Sequence, residues 1–193
     1  MNEPEKCELD PIGDRHKAPI RDMLLYIGED PDREGLVDTP KRIMKSWKEL
    51  YSGYGKNPKE VLGVTFKSES SELIILRDIE LYSSCEHHMM PFYGRCHIGY
   101  IPTGRIVGIS KLARLVEIFA RRLQIQERLT AQIADSIEAF LKPAGCIVII
   151  EATHLCMRMR GISKQNSVMR THAVRGVFSG DTPLRAEFLA AIK

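Results

Sequence analysis

The stretch from Cys146 to Met157 constrains the fold more than any other part of this chain. It is an apolar run, and because strand side chains repeat every two residues, Cys146, Val148, Ile150, Ala152, His154 and Cys156 fall on one face. An imidazole and a thiol thus close an otherwise apolar row.

The preceding helical block supplies cover for one face of such a sheet. Leu112, Leu115, Val116 and Phe119 keep helical spacing after Ser110, and Ile125, Leu129, Ile133, Ile137 and Phe140 continue it until Lys142-Pro143-Ala144-Gly145 stops the helix. β-Branched and aromatic content rises over residues 72–82, 94–101 and 105–109, with turn residues at Pro91 and from Pro102 to Gly104, which predicts antiparallel strands. Val168 to Phe178 reads as a further strand, and Thr182-Pro183 opens a terminal helix through Leu184, Phe188 and Leu189.

Two helices are expected upstream. Ile20, Met23, Leu24 and Ile27 make the apolar stripe of the first. Thr39 as N-cap, Pro40 at the first helical position and the stripe Ile43, Trp47, Leu50 and Tyr51 define the second, with Gly53 at its end. Residues 1–18 mix charge, Pro and Gly without periodicity and read as a mobile arm. The expected organisation is that arm followed by a single domain, 19–193, with N-terminal helices over 19–53 and a catalytic part from about residue 60. Strands grouped around a paired helical block give an α+β class with an antiparallel sheet and helices on one face.

Composition narrows the function. A chain of 193 residues suits one core. Its 28 basic and 25 acidic residues leave a formal charge of +3, without the one-sided excess of a nucleic-acid protein. No apolar stretch approaches the roughly 18 residues that a membrane span needs, and Met1 to Asp10 lacks a signal peptide's pattern, so a cytoplasmic enzyme is expected. Five unevenly spaced cysteines fit reduced thiols, some of them metal ligands, better than disulfides.

Cys85-Glu86-His87-His88 sets a thiol and an imidazole three positions apart, and Cys156 can add a third ligand from the strand. Two sulfurs and a nitrogen favour zinc, and three protein ligands leave a fourth position for water. His87 and His154 remain for moving protons near neutral pH. The bland alternative is two buried thiols and a pair of turn histidines, since one C-x2-H is a weak signal. Gln126-Glu127-Arg128 reads either as a solvated helix face or, for a purine ligand, as a carboxylate whose two oxygens match guanine N1–H and N2–H2. Ser110-Lys111 opens a helix directly after a strand, with Arg114 one turn on, which is either ordinary capping or a phosphate site. Arg160 could enter the metal site only if the strand bends, and Gly161 permits that.

These segments together resemble the GTP cyclohydrolase I family: Thr39-Pro40-Lys41-Arg42, Ser84-Cys85-Glu86-His87-His88, Gly108 to Arg114, Gln124 to Thr130, and His154 to Gly161. The resemblance runs from about residue 20 to the end. It implies a tunnelling fold, with sheets of several subunits joined into a barrel and helices outside, and a decamer of two face-to-face pentamers. It implies conversion of GTP and water into 7,8-dihydroneopterin triphosphate and formate, the entry to folate or tetrahydrobiopterin synthesis. By matching position, Cys85, His88 and Cys156 would bind one zinc per subunit, and Glu127 and Gln126 would hold guanine. Ser110, Lys111, Arg114 and Arg160 would contact ribose or triphosphate, and Arg42 would reach phosphate from a neighbour. His154 would protonate the guanine imidazole while an activated water attacks C8, and His87 would assist ribose rearrangement and ring closure.

Val168, Arg170, His172 and Cys96 depart from the family's usual residues, which bears on packing and rim contacts rather than on the metal. Two competing readings are a tunnelling-fold reductase of a deazaguanine nitrile, with a cysteine nucleophile and no zinc, and a non-catalytic module stabilised by zinc with a fourth protein ligand. The intact C-x2-H and H-x-C pairs argue against the former.

Overall fold

The computed structural model describes residues 14–180 and 182–193. Helix α1 (Asp14–Tyr26) packs against α2 (Thr39–Leu50), and the short α3 (Pro58–Leu62) leads to β1 (Thr65–Lys67). Strands β2 (Ile74–Cys85), β3 (Pro91–Ile101) and β4 (Arg105–Val107) precede helix α4 (Ile109–Ala120). Strand β5 (Leu123–Gln124), helix α5 (Gln126–Leu141), strand β6 (Gly145–His154), helical turn α6 (Leu155–Arg158), strand β7 (Met169–Gly176) and helix α7 (Thr182–Ala191) complete the order.

The main sheet runs β5-β2-β3-β6-β7, antiparallel except for two residues where β5 lies parallel to β2, and β1 pairs with β4 in a separate ribbon. The α+β architecture expected from the sequence is therefore present. The face carrying Cys146, Val148, Ile150 and Ala152 is buried, and on β3 it continues through Phe92, Cys96, Ile98 and Tyr100. Leu112, Leu115, Val116 and Phe119 of α4 and Leu129, Ile133 and Ile137 of α5 pack into that same core. Each such side chain, fully buried, contributes about 1.5–3 kcal/mol relative to exposure.

The opposite face is not bare. Phe188 of α7 and Phe178 pack on Ile147 and Ile149, so helices lie on both faces rather than one. Gly99 makes this possible, since a Cβ there would meet the Phe188 ring at 2.7 Å.

Several boundaries differ from expectation. Helix α1 begins at Asp14, inside the segment read as an arm, and the remainder of that arm, 1–13, lies outside the described residues. Its stripe is only partly covered: Ile20 is buried, whereas Met23 and Ile27 are 60% and 67% exposed. Asp38, not Thr39, occupies the N-cap of α2, which puts Pro40 one position further in. Gly53 lies beyond the end of α2 and serves close approach, because a Cβ there would sit 2.1 Å from the Ile118 carbonyl oxygen. Its N–H donates to Arg121 O at 3.0 Å, docking the chain on the end of α4.

Candidate metal and nucleotide site

Strand β2 ends at Cys85, and the chain turns so that Met89 N–H and His88 N–H both donate to the Cys85 carbonyl, at 2.8 and 3.3 Å. Met89 takes a positive φ of 54° to complete this turn. The result brings Cys85 Sγ to 3.9 Å from His88 Nδ1.

The third thiol arrives differently from the sequence expectation. Strand β6 stops at His154, and Cys156 belongs to the helical turn α6, so it does not continue the strand's face. Leu155-Cys156-Met157-Arg158 contains no β-branched residue, and Leu, Met and Arg favour helix. That turn folds Cys156 back toward Cys85: the donor atoms of Cys85, His88 and Cys156 all lie within 4.8 Å of one another. A tetrahedral cation with metal–sulfur and metal–nitrogen distances of about 2.3 and 2.0 Å needs donor separations of roughly 3.5–3.8 Å. The trio is therefore close to ligating geometry and fits a borderline-soft divalent cation. Burial and the neighbouring Cys85 both raise the pKa of the Cys156 thiol, a penalty that a bound cation would reverse.

The same turn resolves the position of Arg160. Its Nη1 lies 3.1 Å from His88 Nε2, so the bend anticipated at Gly161 begins earlier, at Leu155. Gly161 itself has a φ of 63° in open space.

His154 sits at the last position of β6, opposite Phe92 of β3. The two rings stack with centroids 4.6 Å apart and planes 9° apart. Burial lowers the His154 pKa, and the nearby Glu127 carboxylate opposes this. Glu127 is exposed in the first turn of α5, as a ligand-reading carboxylate requires. His87 is exposed and meets His88 edge to face, with centroids 6.2 Å apart.

Gln126 departs from the sequence expectation. Its side chain is 1% exposed, its Nε2 lies 3.0 Å from both Ile150 O and Met169 O, and its Oε1 is 2.9 Å from His154 Nε2. Both ends of the amide are thereby engaged within the protein.

A further tie escaped sequence reasoning. Arg128, read with its neighbours as part of a solvated face or a purine site, pairs with the Glu86 carboxylate and donates to Gln124 Oε1 at 3.1 Å. Glu86 N–H donates to Gln124 O at 3.0 Å. The Arg128 hydrogen bond holds the Glu86 carboxyl below its usual range. The metal turn is thereby fastened to the start of α5. The only sequence signal was charge complementarity 42 residues apart.

Ser110, Lys111 and Arg114 lie on the first turns of α4, whose N-cap is Gly108 with no side-chain cap. Ser110 and Ile109 line a cavity of about 480 Å³ with Leu76 to Glu80, and Arg114 lines another of about 400 Å³ with Lys56, Asn57, Glu60 and Glu117. Neither cavity includes a metal-triad residue or His154. Arg42 is exposed on α2 and lies 3.5 Å from Asp38. Cys96 is fully buried, with its pKa raised by burial, Arg170 lies 3.5 Å from Glu151, and Val168 and His172 are exposed.

The model of the family described as GTP cyclohydrolase I matches residues 16–193. The chain belongs to that family. It is 57% identical over 175 residues to the GTP cyclohydrolase 1 of Wolinella succinogenes, covering 90% of this chain and 94% of the relative. The Deinococcus radiodurans GTP cyclohydrolase 1 is 53% identical over 174 residues, covering 90% and 81%, and that of Methylococcus capsulatus is 55% identical over 171 residues, covering 88% and 92%. A crystal structure of the apo archaeosine synthase QueF-Like superposes with a TM-score of 0.46 at 20% identity, over 57% of this chain and 97% of that one. In this GTP cyclohydrolase I family member, the Cys85, His88 and Cys156 cluster, His87 and His154 lie at one end of the sheet.

Proposed function

We propose that this chain hydrolyses GTP to 7,8-dihydroneopterin triphosphate and formate, using one zinc ion per subunit bound by Cys85, His88 and Cys156. The observation that carries the reading is the three-donor cluster, with His154 two residues before Cys156, in a chain that is 50–57% identical to curated GTP cyclohydrolases over most of its length. Two sulfurs and one nitrogen select zinc over harder cations. When bound, zinc supplies a Lewis acid and lowers the pKa of a water to about 7.

The chain's own groups supply the rest. Glu127 accepts the paired donors of guanine N1–H and N2–H2. His154 moves a proton at the guanine imidazole nitrogen, and His87 assists ribose rearrangement and ring closure. Ser110, Lys111, Arg114, Arg160 and Arg42 hold ribose and triphosphate. The cavities beside Ser110 and Arg114 contain no metal-triad residue, which supports a reading in which those residues contact phosphate at a site on a neighbouring subunit. This requires an oligomer, and we propose the family's decamer of two pentamers, with sheets joined into a barrel. A cytoplasmic location and the start of a pterin pathway go with this reading. The reductase alternative lacks support, since the curated relatives bear the cyclohydrolase name.

Incubation of purified, metal-analysed protein with GTP tests it directly. Formate and a dihydropterin chromophore should appear together, and both should vanish with a chelator and return with zinc. Stoichiometric zinc without formate would overturn the proposal. His87→Ala should still release formate while forming no pterin, and pterin formation at the normal rate by that variant removes the division of labour between the histidines.

A further inference from the structure

Gln126 lies at the junction of α5, β6 and β7, and the chemistry of its neighbours fixes which way its amide points. Ile150 O and Met169 O, each 3.0 Å from Nε2, are carbonyl oxygens that only accept, so the NH2 group must face them. Thr171 Oγ1, 3.1 Å from the same nitrogen, closes a loop. Thr130 Oγ1 donates to Gln126 O at 2.7 Å and stands 2.6 Å from Thr171 Oγ1. Thr130 has spent its proton, so Thr171 donates to Thr130 and keeps a lone pair for the Gln126 amide. The two amide hydrogens are shared among these three acceptors, and none of the three offers a hydrogen that would turn the amide round.

With the NH2 group fixed, Oε1 is the atom 2.9 Å from His154 Nε2. An amide oxygen only accepts, so His154 Nε2 carries the proton. A neutral imidazole has one N–H, which leaves Nδ1 with the lone pair. The Phe92 ring, stacked at 4.6 Å, removes the remaining freedom of the imidazole plane.

We infer that Gln126 is a positioning residue that acts through His154: it locks the Nε2–H tautomer, so that His154 exchanges protons with the substrate at Nδ1, and it does not read guanine. The inference rests on the function proposed above and assigns the atom at which His154 works. The proton delivered to the guanine imidazole nitrogen is one that Nδ1 takes from the water whose hydroxide adds to C8, and the Nε2–H stays with Gln126 throughout. The exchange is balanced at a single nitrogen.

Two measurements on the metal-loaded full chain test this. The first is 15N NMR of protein carrying 15N-histidine, with the His154 signals assigned by their loss in His154→Ala. The wild type should show a protonated Nε2 and an unprotonated Nδ1; a native Nδ1–H tautomer would overturn the inference without any Gln126 variant. The second is a double-mutant cycle with Gln126→Met, which keeps the side chain's length and removes its polar atoms. Proton transfer by a positioned group contributes about 10²–10⁴-fold, so kcat should fall by about tenfold or more while KM moves less than about threefold. Added to His154→Ala, the same change should lower kcat by less than about threefold, because the two residues act as a unit. A rise in KM at retained kcat, with additive effects, would make Gln126 a guanine contact instead. Thermal unfolding of each variant reports loss of packing separately, and the wild-type tautomer stands even if Gln126→Met does not fold. Wild type that releases no formate refutes the proposed function but leaves the tautomer measurement intact.

Discussion

His97 lies on β3, on the sheet face away from the main core, and is 2% exposed. Its Nδ1 accepts from Asp78 N–H at 3.2 Å, so its Nε2 carries the proton, and that atom is buried without a hydrogen-bond partner. Asp78, Glu151, Arg170 and Arg95 face it. Burial lowers its pKa and outweighs the two carboxylates, which act in the opposite direction. A histidine whose folded pKa is depressed binds fewer protons in the folded state. Stability is therefore complete above the unfolded value of about 6.5 and is lost as pH falls below it toward the folded pKa. His97→Gln should flatten the decline in Tm between pH 7 and 5.5. His154, lowered in the same direction, leaves a residual slope. An unchanged slope in the variant would mean that His97 does not titrate on unfolding in this range. Nothing in the sequence distinguished His97 from any other strand histidine; its burial follows from the side chains opposite it.

Among the elements, β3 and β6 set the site, because their register puts Phe92 against His154. That register depends on Gly94, where a Cβ would lie 1.9 Å from Glu151 O. The clash is with backbone, which cannot rotate away. Gly94→Ala should destabilise the fold by about 1–3 kcal/mol or more, as overpacking does, and should weaken the stacking of His154. A chemical denaturation curve superimposable on wild type would contradict this. The tie between the metal turn and α5 makes a separate prediction. Arg128→Met, which removes the bond to the non-ligating Glu86, should weaken metal retention against a competing chelator by about tenfold, the usual scale for outer contacts of a metal site. Unchanged retention would reduce that pair to surface decoration. Most elements were legible because periods of two and of three to four residues are strong over β2, β3, β6, α4 and α5. The candidate metal ligands were legible through the C-x2-H spacing of Cys85 and His88. The turn at Leu155 was not, because alternation alone continues the strand of β6 through Cys156, and only local helix preference and the position of Cys85 break it. The burial of Gln126 was not legible, because a polar residue beside Glu127 has the same appearance whether it faces solvent or a buried imidazole.

For the whole molecule, the described chain leaves more apolar surface uncovered than its core explains. On α1 and at the residue that follows it, Met23, Tyr26 and Ile27 are 60%, 90% and 67% exposed, although Ile20 on the helix is buried. Strand β7 is an outer strand of the main sheet, and β2 is paired with β5 only at Ser84 and Cys85 on its outer side. Open strand edges and an apolar helix stripe are features that soluble proteins cover. Both follow if other copies of the chain complete the sheet and seat α1, an arrangement that fits the proposed sharing of phosphate contacts between subunits. Introducing charge into the stripe separates the two surfaces. Met23→Asp with Ile27→Asp should shift sedimentation velocity to smaller species if α1 joins subunits, while leaving the internal packing of each protomer intact. GTP turnover should fall only as far as the phosphate-contact pairs are separated. If the assembly keeps its full size, α1 lies outside the interface, and the sheet edges alone must hold the subunits together.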